Sequence, residues 1–480
     1  MENNYLILDM GTGNSRVGLV SSDGVVLGIR SYVNRYHTDP LYEDAQYFLP
    51  EEWSGYLLEG CRELMEEFPE HPVKAITSTG ARESIVLYNG EGKAFMGLPN
   101  IDNRGRAWMD EIEDCAFIYE RTGRWVTEDF PAAKLMGYKK KYPREFQNIA
   151  KITSLSEWVG EIFTGKIVIE PSQACETQLF DIQEKAWSER LCRNYGIPMG
   201  ILPEIAKAGD SLGTIKKEFS DKLGLNGQAE FIVGGADTQI AVKGIGIGIG
   251  DIAVVSGTTS PVVTITDYKY YDEQKRCWTD SNLGGETYQV ETNPGVTGLN
   301  YQRMKALLFP DTSYEEVEKN MARQKGYLCT ATFSSLHFSE KRSLKKGGFV
   351  TKAPFDADLD AVDMMWAVVA DIACSIYVQY QNLCEMTGHK KEYILGCGGG
   401  FRSEILCQHL ADLTGKKLVI REGFEQASIH GCVKICNERY GKDADGKGGA
   451  KQEKVYMPCG QGLIHAYYEE WLENRQVLNP

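Results

Sequence analysis

The segment YLILDMGTGNSRVGLV, residues 5–20, decides the fold class of this chain. It consists of two short apolar runs, and the turn residues Gly11 and Gly13 lie between them. Short apolar runs that are bounded by turn residues are typical of buried β-strands. The segment therefore predicts a β-hairpin with Asp9 at the end of its first strand, rather than a strand that leads into a helix.

The signals that follow the hairpin alternate between helix and strand. Apolar spacing predicts a helix over residues 51–68, and a strand pattern follows over residues 73–78. A similar order begins again in the middle of the chain, with predicted strands over residues 229–233 and 252–256. This alternation predicts an α/β fold. The later predicted elements are strands over 393–396 and 418–420, helices over 403–413, 427–439 and 460–473, and an exposed glycine-rich loop over 441–449.

Length and charge narrow the classes of protein to consider. A chain of 480 residues is too long for one hydrophobic core, so we expect two or three domains. The net charge of −15 would repel a phosphate backbone, so nucleic acid is not an expected partner. The first residues do not resemble a signal peptide, and no window approaches the ~20 apolar residues that span a bilayer. We therefore expect a cytoplasmic protein without a membrane partner.

The thirteen cysteines contain no Cys-x-x-Cys pair, and their odd number argues against a disulfide framework. Cys432 and Cys436 are four residues apart on a predicted helix, so they can share one face. No further ligand of suitable spacing lies nearby, which argues against a zinc site. We expect reduced thiols that mostly fill the core.

The turn at residues 9–16 places a carboxylate at a strand end, next to glycines and hydroxyl groups. Backbone N–H groups in such a turn can point at an anion, and the turn can hold phosphates together with a Mg²⁺ ion. The alternative interpretation is a plain surface hairpin, in which these residues serve only the turn geometry.

Asp237 lies in the segment GGADTQ, residues 234–239, between a predicted strand and a predicted helix. A carboxylate near a helix N-terminus at a domain junction is well placed to take a proton from a substrate hydroxyl, although it could instead only cap the helix. Two more turns follow, SGTT at residues 256–259 and CGGG at residues 397–400. Each can be a plain turn, but together they can supply the contacts that ATP in a cleft needs.

In their order along the chain, these four blocks resemble the motifs of the FGGY carbohydrate kinases, members of the actin-like ATPase superfamily. The resemblance runs from about residue 5 to residue 439. It implies two ribonuclease-H-like domains with ATP in the cleft between them: a substrate-binding lobe at residues 1–245 and a nucleotide-binding lobe at residues 246–480. It also implies ATP and Mg²⁺ as cofactors, Asp237 as general base and Asp9 as the support for Mg²⁺. We expect these two carboxylates to come from opposite halves of the molecule and to face one another.

The resemblance also implies which loop residues contact the nucleotide. These predicted residues are Gly11, Thr12, Gly13, Asn14, Arg16, Gly257, Thr258, Gly399, Gly400 and Ser403. The chain departs from the family pattern at residues 401–403, where the usual serine and asparagine after the third glycine are absent. The tryptophan that often follows Ser-Gly-Thr is replaced by Thr259. The adenine contacts are therefore open.

The segment ARESIVLYN, residues 81–89, matches the family's substrate-binding Arg-Glu block. By this resemblance Arg82 and Glu83 hydrogen-bond the hydroxyl groups of a small sugar-like substrate, which Asp237 also contacts. A buried structural ion pair is the alternative interpretation for Arg82 and Glu83.

The same block, with residues 100–104 and 294–299, looks most like that of autoinducer-2 kinases, which phosphorylate a linear five-carbon hydroxyketone. Asp102 is then a further candidate substrate contact, although it could equally cap a turn. Pentulose kinases are the close alternative.

Two other classes of protein share this fold. A non-kinase ATPase of the superfamily would use ATP only to change shape, and it would lack the Arg82-Glu83 pair. A catalytically silent sugar sensor would keep the fold without the transfer, but it would not need both Asp9 and Asp237. The sequence leaves open whether the chain forms a homodimer and which metal it prefers.

Overall fold

The computed structural model describes residues 3–225, 228–336, 344, 346–442, 453–460 and 462–478. The loop predicted at residues 441–449 lies outside the described residues from residue 443 onward.

The first half of the chain builds one large sheet, several two- or three-stranded sheets, and the helices around them. Its strands are β1 (Asn4–Met10), β2 (Asn14–Ser21), β3 (Val26–Val33), β4 (His37–Thr38), β5 (Gln46–Tyr47), β6 (Val73–Gly80), β7 (Ile85–Tyr88), β8 (Ala94–Leu98), β9 (Lys151–Ser154), β10 (Val168–Ile169), β11 (Phe180–Asp181), β12 (Ala186–Trp187), β13 (Glu204–Ile205), β14 (Ser211–Thr214) and β15 (Glu230–Ala236). Its helices are α1 (Pro50–Glu67), α2 (Cys115–Thr122), α3 (Pro131–Lys141), α4 (Pro143–Phe146), α5 (Leu155–Thr164), α6 (Pro171–Ala174), α7 (Glu189–Tyr195), α8 (Lys217–Lys222) and α9 (Asp237–Gly244).

The second half builds a second large sheet and the remaining helices. Its strands are β16 (Ile252–Val255), β17 (Val262–Thr266), β18 (Trp278–Ser281), β19 (Tyr288–Thr292), β20 (Cys329–Ala331), β21 (Phe349–Thr351), β22 (Tyr393–Cys397), β23 (Lys417–Arg421) and β24 (Glu453–Tyr456). Its helices are α10 (Gly298–Leu308), α11 (Tyr314–Met321), α12 (Ala361–Thr387), α13 (Glu404–Thr414), α14 (Ala427–Arg439) and α15 (Leu463–Leu478).

Six strands form the first sheet, in the order β14-β15-β6-β1-β2-β3. β1 and β2 are antiparallel neighbours with Asp9 opposite Arg16, which confirms the predicted hairpin. β6 pairs in parallel with β1 on one side and with β15 on the other. The carboxyl ends of these three strands therefore meet at one edge of the sheet, where Asp9, Thr79 and Gly235 lie in register.

β1 is buried on both faces, which explains why its sequence is a continuous apolar run. Successive side chains of a strand point to opposite faces, and each face of β1 meets a different core. Leu6 and Leu8 belong to a core that includes Trp53 of α1. Tyr5 and Ile7 belong to a core that includes residues of α14.

Seven strands form the second sheet, in the order β18-β19-β17-β16-β22-β23-β24. β16, β22 and β23 run parallel to one another. The loops that follow β16 and β22 therefore leave the sheet at the same edge, and these loops carry the Ser-Gly-Thr and Gly-Gly-Gly motifs.

Helix α12 is the long core helix of the second half. Asp360 forms a capping box with Asp363 at its start, and Gly388 ends it with a φ of 70°. In the described part of the chain it is the one helix with the length and apolar composition of a membrane span. This corrects the expectation that no window approaches that length. Because 72% of its apolar window is buried inside the protein, the helix also fits the role of a core helix.

Helices α9 and α14 cross where the two halves of the chain meet. A Cβ atom on Gly244 would lie 2.0 Å from the carbonyl oxygen of Ala427, and one on Gly431 would lie 1.9 Å from that of Ile240. Glycine at both positions is what lets the helix backbones come this close. Although α14 belongs to the second half of the chain, its Cys432 packs into the core of the first sheet.

Candidate active site

Asp9 lies one residue before the end of β1, and its side chain faces the edge where the parallel strands end. It is 5% exposed. Its Oδ2 atom accepts hydrogen bonds from the guanidinium group of Arg16 and from Ser428 Oγ, the latter at 2.8 Å. A carboxylate that accepts hydrogen bonds from two side chains is held in one orientation.

Asp237 is the first residue of helix α9, directly after β15. Two glycines shape this connection, because a Cβ atom on Gly234 would lie 1.7 Å from a backbone oxygen of β6. Gly235 has a φ of 157°, and a Cβ atom there would lie 2.6 Å from Leu283. The Asp237 Oδ1 atom accepts a 2.7 Å hydrogen bond from the backbone N–H of Thr238. The Gly-Gly pair thus sets the position of the carboxylate.

Asp9 and Asp237 both lie at one edge of the first sheet, in the same half of the chain, because Asp237 directly follows β15. Thr79 of β6 is in register with Asp9 on one side and with Gly235 on the other. Neighbouring strands are about 4.8 Å apart, so β1 and β15, which flank β6, are separated by about 10 Å. The expectation that the two carboxylates face one another from opposite halves is wrong, because the pairing of β15 with β6 brings both to one edge.

The surroundings of Asp237 alter its acidity. Burial raises the pKa of Asp237 to about 6, and the negative charges of Asp9 and Glu83 act in the same direction. The positive charge of Arg82 opposes this rise in pKa. A carboxyl group with a pKa near 6 is ionised at neutral pH and is a stronger base than an ordinary aspartate.

The turn between β1 and β2 is held by hydrogen bonds from three directions. The backbone N–H of Gly11 donates to Asn14 O at 3.1 Å, which closes the turn. The carbonyl oxygen of Thr12 accepts from Tyr36 Oη at 2.5 Å, and Thr12 Oγ1 accepts from Asn100 Nδ2 at 2.8 Å. Two residues outside the turn, Tyr36 and Asn100, therefore help to fix the turn that we predict to contact phosphate.

Other predicted phosphate contacts of this turn border open space. Asn14 is exposed at the start of β2, and no atom lies within 4 Å of the place where a Cβ atom on Gly13 would be. Arg16 contacts Asp9, so its guanidinium group lies at the same edge of the sheet.

The two motif loops of the second half touch one another. The backbone N–H of Gly400 donates to Ser256 O at 3.1 Å, and a Cβ atom on Gly400 would lie 2.1 Å from Ser256 Oγ. The carbonyl oxygen of Thr258 accepts from the N–H of Thr297 at 3.1 Å. No atom lies within 4 Å of a Cβ position on Gly257. The structure thus brings the predicted Ser-Gly-Thr and Gly-Gly-Gly contacts together.

A short connection joins these loops to Asp9. The backbone N–H of Gly398 donates to Phe424 O at 2.9 Å, and Ser428, four residues further along, hydrogen-bonds Asp9. Like Gly257, Gly399 has no atom within 4 Å of its Cβ position. All four motifs therefore converge on one region. Ser428 was missed in the sequence, where it stands only as a polar residue at the start of a predicted helix.

Ser403 has a structural role at the start of α13. Its hydroxyl oxygen accepts from the N–H of Leu406 at 3.2 Å, and its hydroxyl group donates to Glu318 at 2.9 Å. Phe401 is buried in the core of the second half. The Ser403 hydroxyl group therefore donates to one protein group and accepts from another. Its predicted contact with ATP stays a prediction.

Arg82 and Glu83 follow β6 and lie beside the second half of the chain. Arg82 forms a two-pronged ion pair with Glu291 of β19, at 2.7 and 3.1 Å. The Glu83 carboxylate lies 3.7 Å from a guanidinium nitrogen of Arg124, and its carbonyl oxygen accepts from Lys134 Nζ at 2.6 Å. The ion-pair interpretation describes these contacts, and the substrate role of both residues stays a prediction.

Arg124 lies at the centre of further ion pairs that sequence reasoning missed. It is fully buried, and it donates to Asp280 Oδ1 of β18 and to Glu176 Oε1, both at 2.6 Å. Its guanidinium group stacks on the ring of Trp278 at 4.1 Å. One signal could have shown these residues, since Asp280 and Glu291 are each the one charged residue of a strand whose other residues are neutral.

Both carboxylate oxygens of Asp102 have protein partners. Asp102 is fully buried, and its two oxygens accept from the N–H of Gln46 at 3.0 Å and from Arg104 Nε at 2.7 Å. The charges of Asp102 and Glu83 both act on the buried amine of Lys134. The substrate contact of Asp102 stays a prediction.

The residues at this edge suit Mg²⁺ and a nucleotide. Within the described residues, Asp9 Oδ1 and Asp237 Oδ2 make no hydrogen bond, so two hard oxygen atoms remain for a cation that prefers carboxylate and phosphate oxygens. Gly13, Gly257 and Gly399 each leave open space where a side chain would stand. Backbone N–H groups in such open glycine loops can approach phosphate closely.

Comparison with known proteins gives consistent matches over the whole chain. Residues 4–244 match the family described as "FGGY family of carbohydrate kinases, N-terminal domain", and residues 306–437 match its C-terminal domain. The Bacillus subtilis (strain 168) protein "Putative sugar kinase YoaC" is 39% identical over 477 residues, which cover 99% of this chain and 97% of that protein. An autoinducer-2 kinase of Yersinia enterocolitica is 21% identical over 482 residues, covering 95% of this chain and 90% of that protein.

Solved structures agree with the fold that the sequence implies. A xylulose kinase from Lactobacillus acidophilus superposes with a TM-score of 0.85 at 19% identity, covering 99% of this chain and 98% of that chain. A Plasmodium falciparum glycerol kinase with ADP gives a TM-score of 0.84 at 17% identity, covering 100% and 98%. The expected α/β architecture of two kinase domains is confirmed.

Proposed function

This chain belongs to the FGGY family of carbohydrate kinases, and we propose that it phosphorylates autoinducer-2 or a related linear hydroxyketone. In this reaction the γ-phosphate of ATP moves to a hydroxyl group of the substrate. A pentulose such as xylulose is the alternative substrate.

The position and acidity of Asp237 are the observation that supports this proposal most. Its carboxylate lies at the edge where the strands end, close enough for the charges of Arg82 and Glu83 to alter its pKa. In this proposal Asp237 takes the proton of the substrate hydroxyl as the oxygen attacks the γ-phosphate, and its pKa of about 6 suits that role at neutral pH.

The other residues of the edge act on the phosphates. The Asp9 carboxylate would hold Mg²⁺, which when bound neutralises charge on the β- and γ-phosphates. N–H groups of the turns at Gly11–Gly13 and Gly257–Thr258 would donate to phosphate oxygens where negative charge develops. Arg16 would hold the Asp9 carboxylate in one orientation through their ion pair.

Two observations favour a linear hydroxyketone. Autoinducer-2 kinases of several Yersinia strains, such as those of Yersinia enterocolitica and Yersinia pseudotuberculosis, are 21% identical over 95% of this chain. The segment at residues 294–299, one of those that look like the autoinducer-2 kinases, packs against the Ser-Gly-Thr loop, because Thr297 donates to Thr258 O. The xylulose kinase structures support the same fold and leave the pentulose alternative open.

The test is a screen of ATP consumption against pentuloses, hexuloses, polyols and the autoinducer-2 precursor. The expected result is turnover with the precursor, with a phosphorylated product that mass spectrometry identifies. A higher kcat/KM with a pentulose would establish the alternative. If none of these compounds stimulated ATP consumption above the rate of the Asp237→Asn variant, the proposed transfer would be wrong.

A further inference from the structure

Strands β18 and β19 present four polar or amphipathic side chains on one face. Asp280 is paired with Gln289, and Trp278 is paired with Glu291. Residues directly opposite one another in an antiparallel pair point to the same side, as do residues two apart along a strand. Trp278, Asp280, Gln289 and Glu291 therefore share the face that meets Arg82 and Arg124.

Several polar atoms on this face are buried without a hydrogen-bond partner. Gln289 is 0% exposed, and neither its amide oxygen nor its amide nitrogen is hydrogen-bonded to any described residue. The same holds for Asp280 Oδ2 and Trp278 Nε1, and, on the facing residues, for Arg124 Nη1 and Glu176 Oε2. Buried polar atoms are nearly always hydrogen-bonded, and leaving one unpaired destabilises the folded state. A concentration of such atoms at one place indicates a ligand that supplies the partners.

This face is continuous with the predicted transfer site. Glu291 is bound to Arg82 at 2.7 Å, and Arg82 is the cation that lowers the pKa of Asp237. We name Arg82, Arg124, Glu176, Asp280, Gln289 and Glu291 the ribbon cluster.

The charges of this region exclude a negatively charged ligand. Arg82 and Arg124 are the two cations, and both already have carboxylate partners. Burial raises the pKa of Glu176 and of Asp280. Apart from these two groups, the carboxyl groups of Glu291 and Glu83 lie beside the two guanidinium groups, at 2.7 and 3.7 Å. No cation of the ribbon cluster is left to bind a carboxylate of a substrate.

A bound metal ion explains the same atoms less well. Atoms of Cys175, Glu176 and Asp280 lie within 4.8 Å of one another and could in principle hold a cation. Arg124 already donates to both carboxylates at 2.6 Å, so an ion there would meet a guanidinium group at close range. Hydroxyl groups, which donate and accept, match the unpaired carboxylate, amide and guanidinium atoms of the ribbon cluster.

We propose that the ribbon cluster determines substrate specificity by binding the hydroxyl groups of an uncharged sugar-like substrate and by rejecting acid sugars such as aldonates. The inference rests on the proposed function. It places the ribbon cluster in the same substrate site as Asp237, on the side of Arg82 that faces Glu291. Glu291 and Gln289 are the residues of β19 that carry the specificity.

The test measures binding without ATP, so that it does not depend on transfer. Isothermal titration of the full chain compares the autoinducer-2 precursor and D-xylulose with D-xylonate, the acid of equal chain length. We expect at least one neutral compound to bind and D-xylonate to bind at least ten times more weakly. Equal or tighter binding of D-xylonate, or no binding of either neutral compound, would overturn the inference. If a neutral compound binds but ATP is not consumed, the proposed function fails and the inference stands.

Two variants separate a binding role from a structural role. Gln289→Met removes a buried amide without partners and keeps its size, so the melting temperature should stay equal or rise. The same variant should bind the neutral compound roughly 10-fold more weakly, as the loss of one hydrogen bond would produce. A purely structural residue would lower the melting temperature and leave the affinity of the folded fraction unchanged, and that result would contradict the proposal.

Glu291→Gln removes a charge from the ribbon cluster, and Glu286→Gln is the matched control. Glu286 lies in the same hairpin, exposed and paired with Lys185 and Lys207. We expect Glu291→Gln to narrow the difference in affinity between D-xylulose and D-xylonate, because one negative charge is lost. Glu286→Gln should leave that difference as it is in the unmodified chain. An equal effect of both substitutions would show that general charge, and not the ribbon cluster, sets the preference.

Discussion

Ser428 Oγ donates a 2.8 Å hydrogen bond to Asp9 Oδ2, so the start of helix α14 is tied to the carboxylate at the end of β1. Phe424, four residues before Ser428, accepts a hydrogen bond from the N–H of Gly398. One short segment therefore contacts both the glycine loop of the second half and the carboxylate that we expect to hold Mg²⁺. A change in the position of the glycine loop would therefore affect Asp9 through two hydrogen bonds, Gly398 to Phe424 and Ser428 to Asp9.

Removal of the Ser428 hydroxyl group should weaken the response to metal. In Ser428→Ala, Asp9 loses one of the two groups that orient it, so the Mg²⁺ concentration for half-maximal activity should rise by roughly 10-fold. Asp9→Asn should raise the Mg²⁺ concentration for half-maximal activity further, and it should also lower the maximal rate. The measurement is a Mg²⁺ titration of the initial rate of ATP consumption.

Ser54→Ala is the control for this series, since Ser54 lies on α1 and its exposed hydroxyl group donates to Glu51 O of the same helix. It should leave the Mg²⁺ titration as in the unmodified chain. Unchanged Mg²⁺ dependence in both Ser428→Ala and Asp9→Asn would show that the metal is held elsewhere.

Asp237→Asn should abolish proton acceptance while the fold and the nucleotide loops remain. We expect kcat to fall by about 10²- to 10⁴-fold, the usual contribution of a general base, with the affinity for ATP within twofold. Steady-state kinetics and a titration with ATP measure the two quantities. The exposed Asp221→Asn on α8 is the matched control and should keep full activity. If kcat of Asp237→Asn equalled that of the unmodified chain, another group would accept the proton.

The pH dependence of kcat/KM should report the acidity of Asp237. The base is active when it is deprotonated, so kcat/KM should be level above about pH 6 and fall as the pH drops below the pKa of about 6. Arg82 lowers this pKa and Glu83 raises it, so their substitutions should act in opposite directions. Arg82→Met should move the break to higher pH, and Glu83→Gln should move it to lower pH. A break that did not respond to either charge would belong to a different group.

The local parts of the site were predictable because turn chemistry is local. The β1–β2 hairpin, the glycine turns and the start of helix α9 at Asp237 all follow from residues that are adjacent in the sequence. The predicted strands and helices are of the correct type for the same reason, although several of them begin or end at other residues than predicted.

The placement of Asp9 beside Asp237 was not predictable, because it depends on the parallel pairing of β15 with β6 across a long stretch of chain. The ribbon cluster was missed for a similar reason. Arg82 and Glu291 are 209 residues apart in sequence, and nothing local indicates that a charged residue in a strand will meet an arginine of the other half. Only tertiary packing brings these two residues together, so the local sequence pattern around either residue cannot predict the ion pair.

The two glycines that follow Gly398 should respond differently to alanine. No atom lies within 4 Å of a Cβ position on Gly399, whereas a Cβ atom on Gly400 would lie 2.1 Å from Ser256 Oγ. Gly399→Ala should therefore leave the melting temperature unchanged, while Gly400→Ala should lower it, as overpacking does. If the open space at Gly399 is where phosphate approaches, Gly399→Ala should weaken ATP binding by roughly 10-fold, the equivalent of one hydrogen bond to a charged group. Gly200→Ala, on a surface turn with equally open space, should change neither quantity. A Gly399→Ala protein that binds ATP with undiminished affinity would place the nucleotide away from this loop, because the added methyl group would fill the open space beside Gly399.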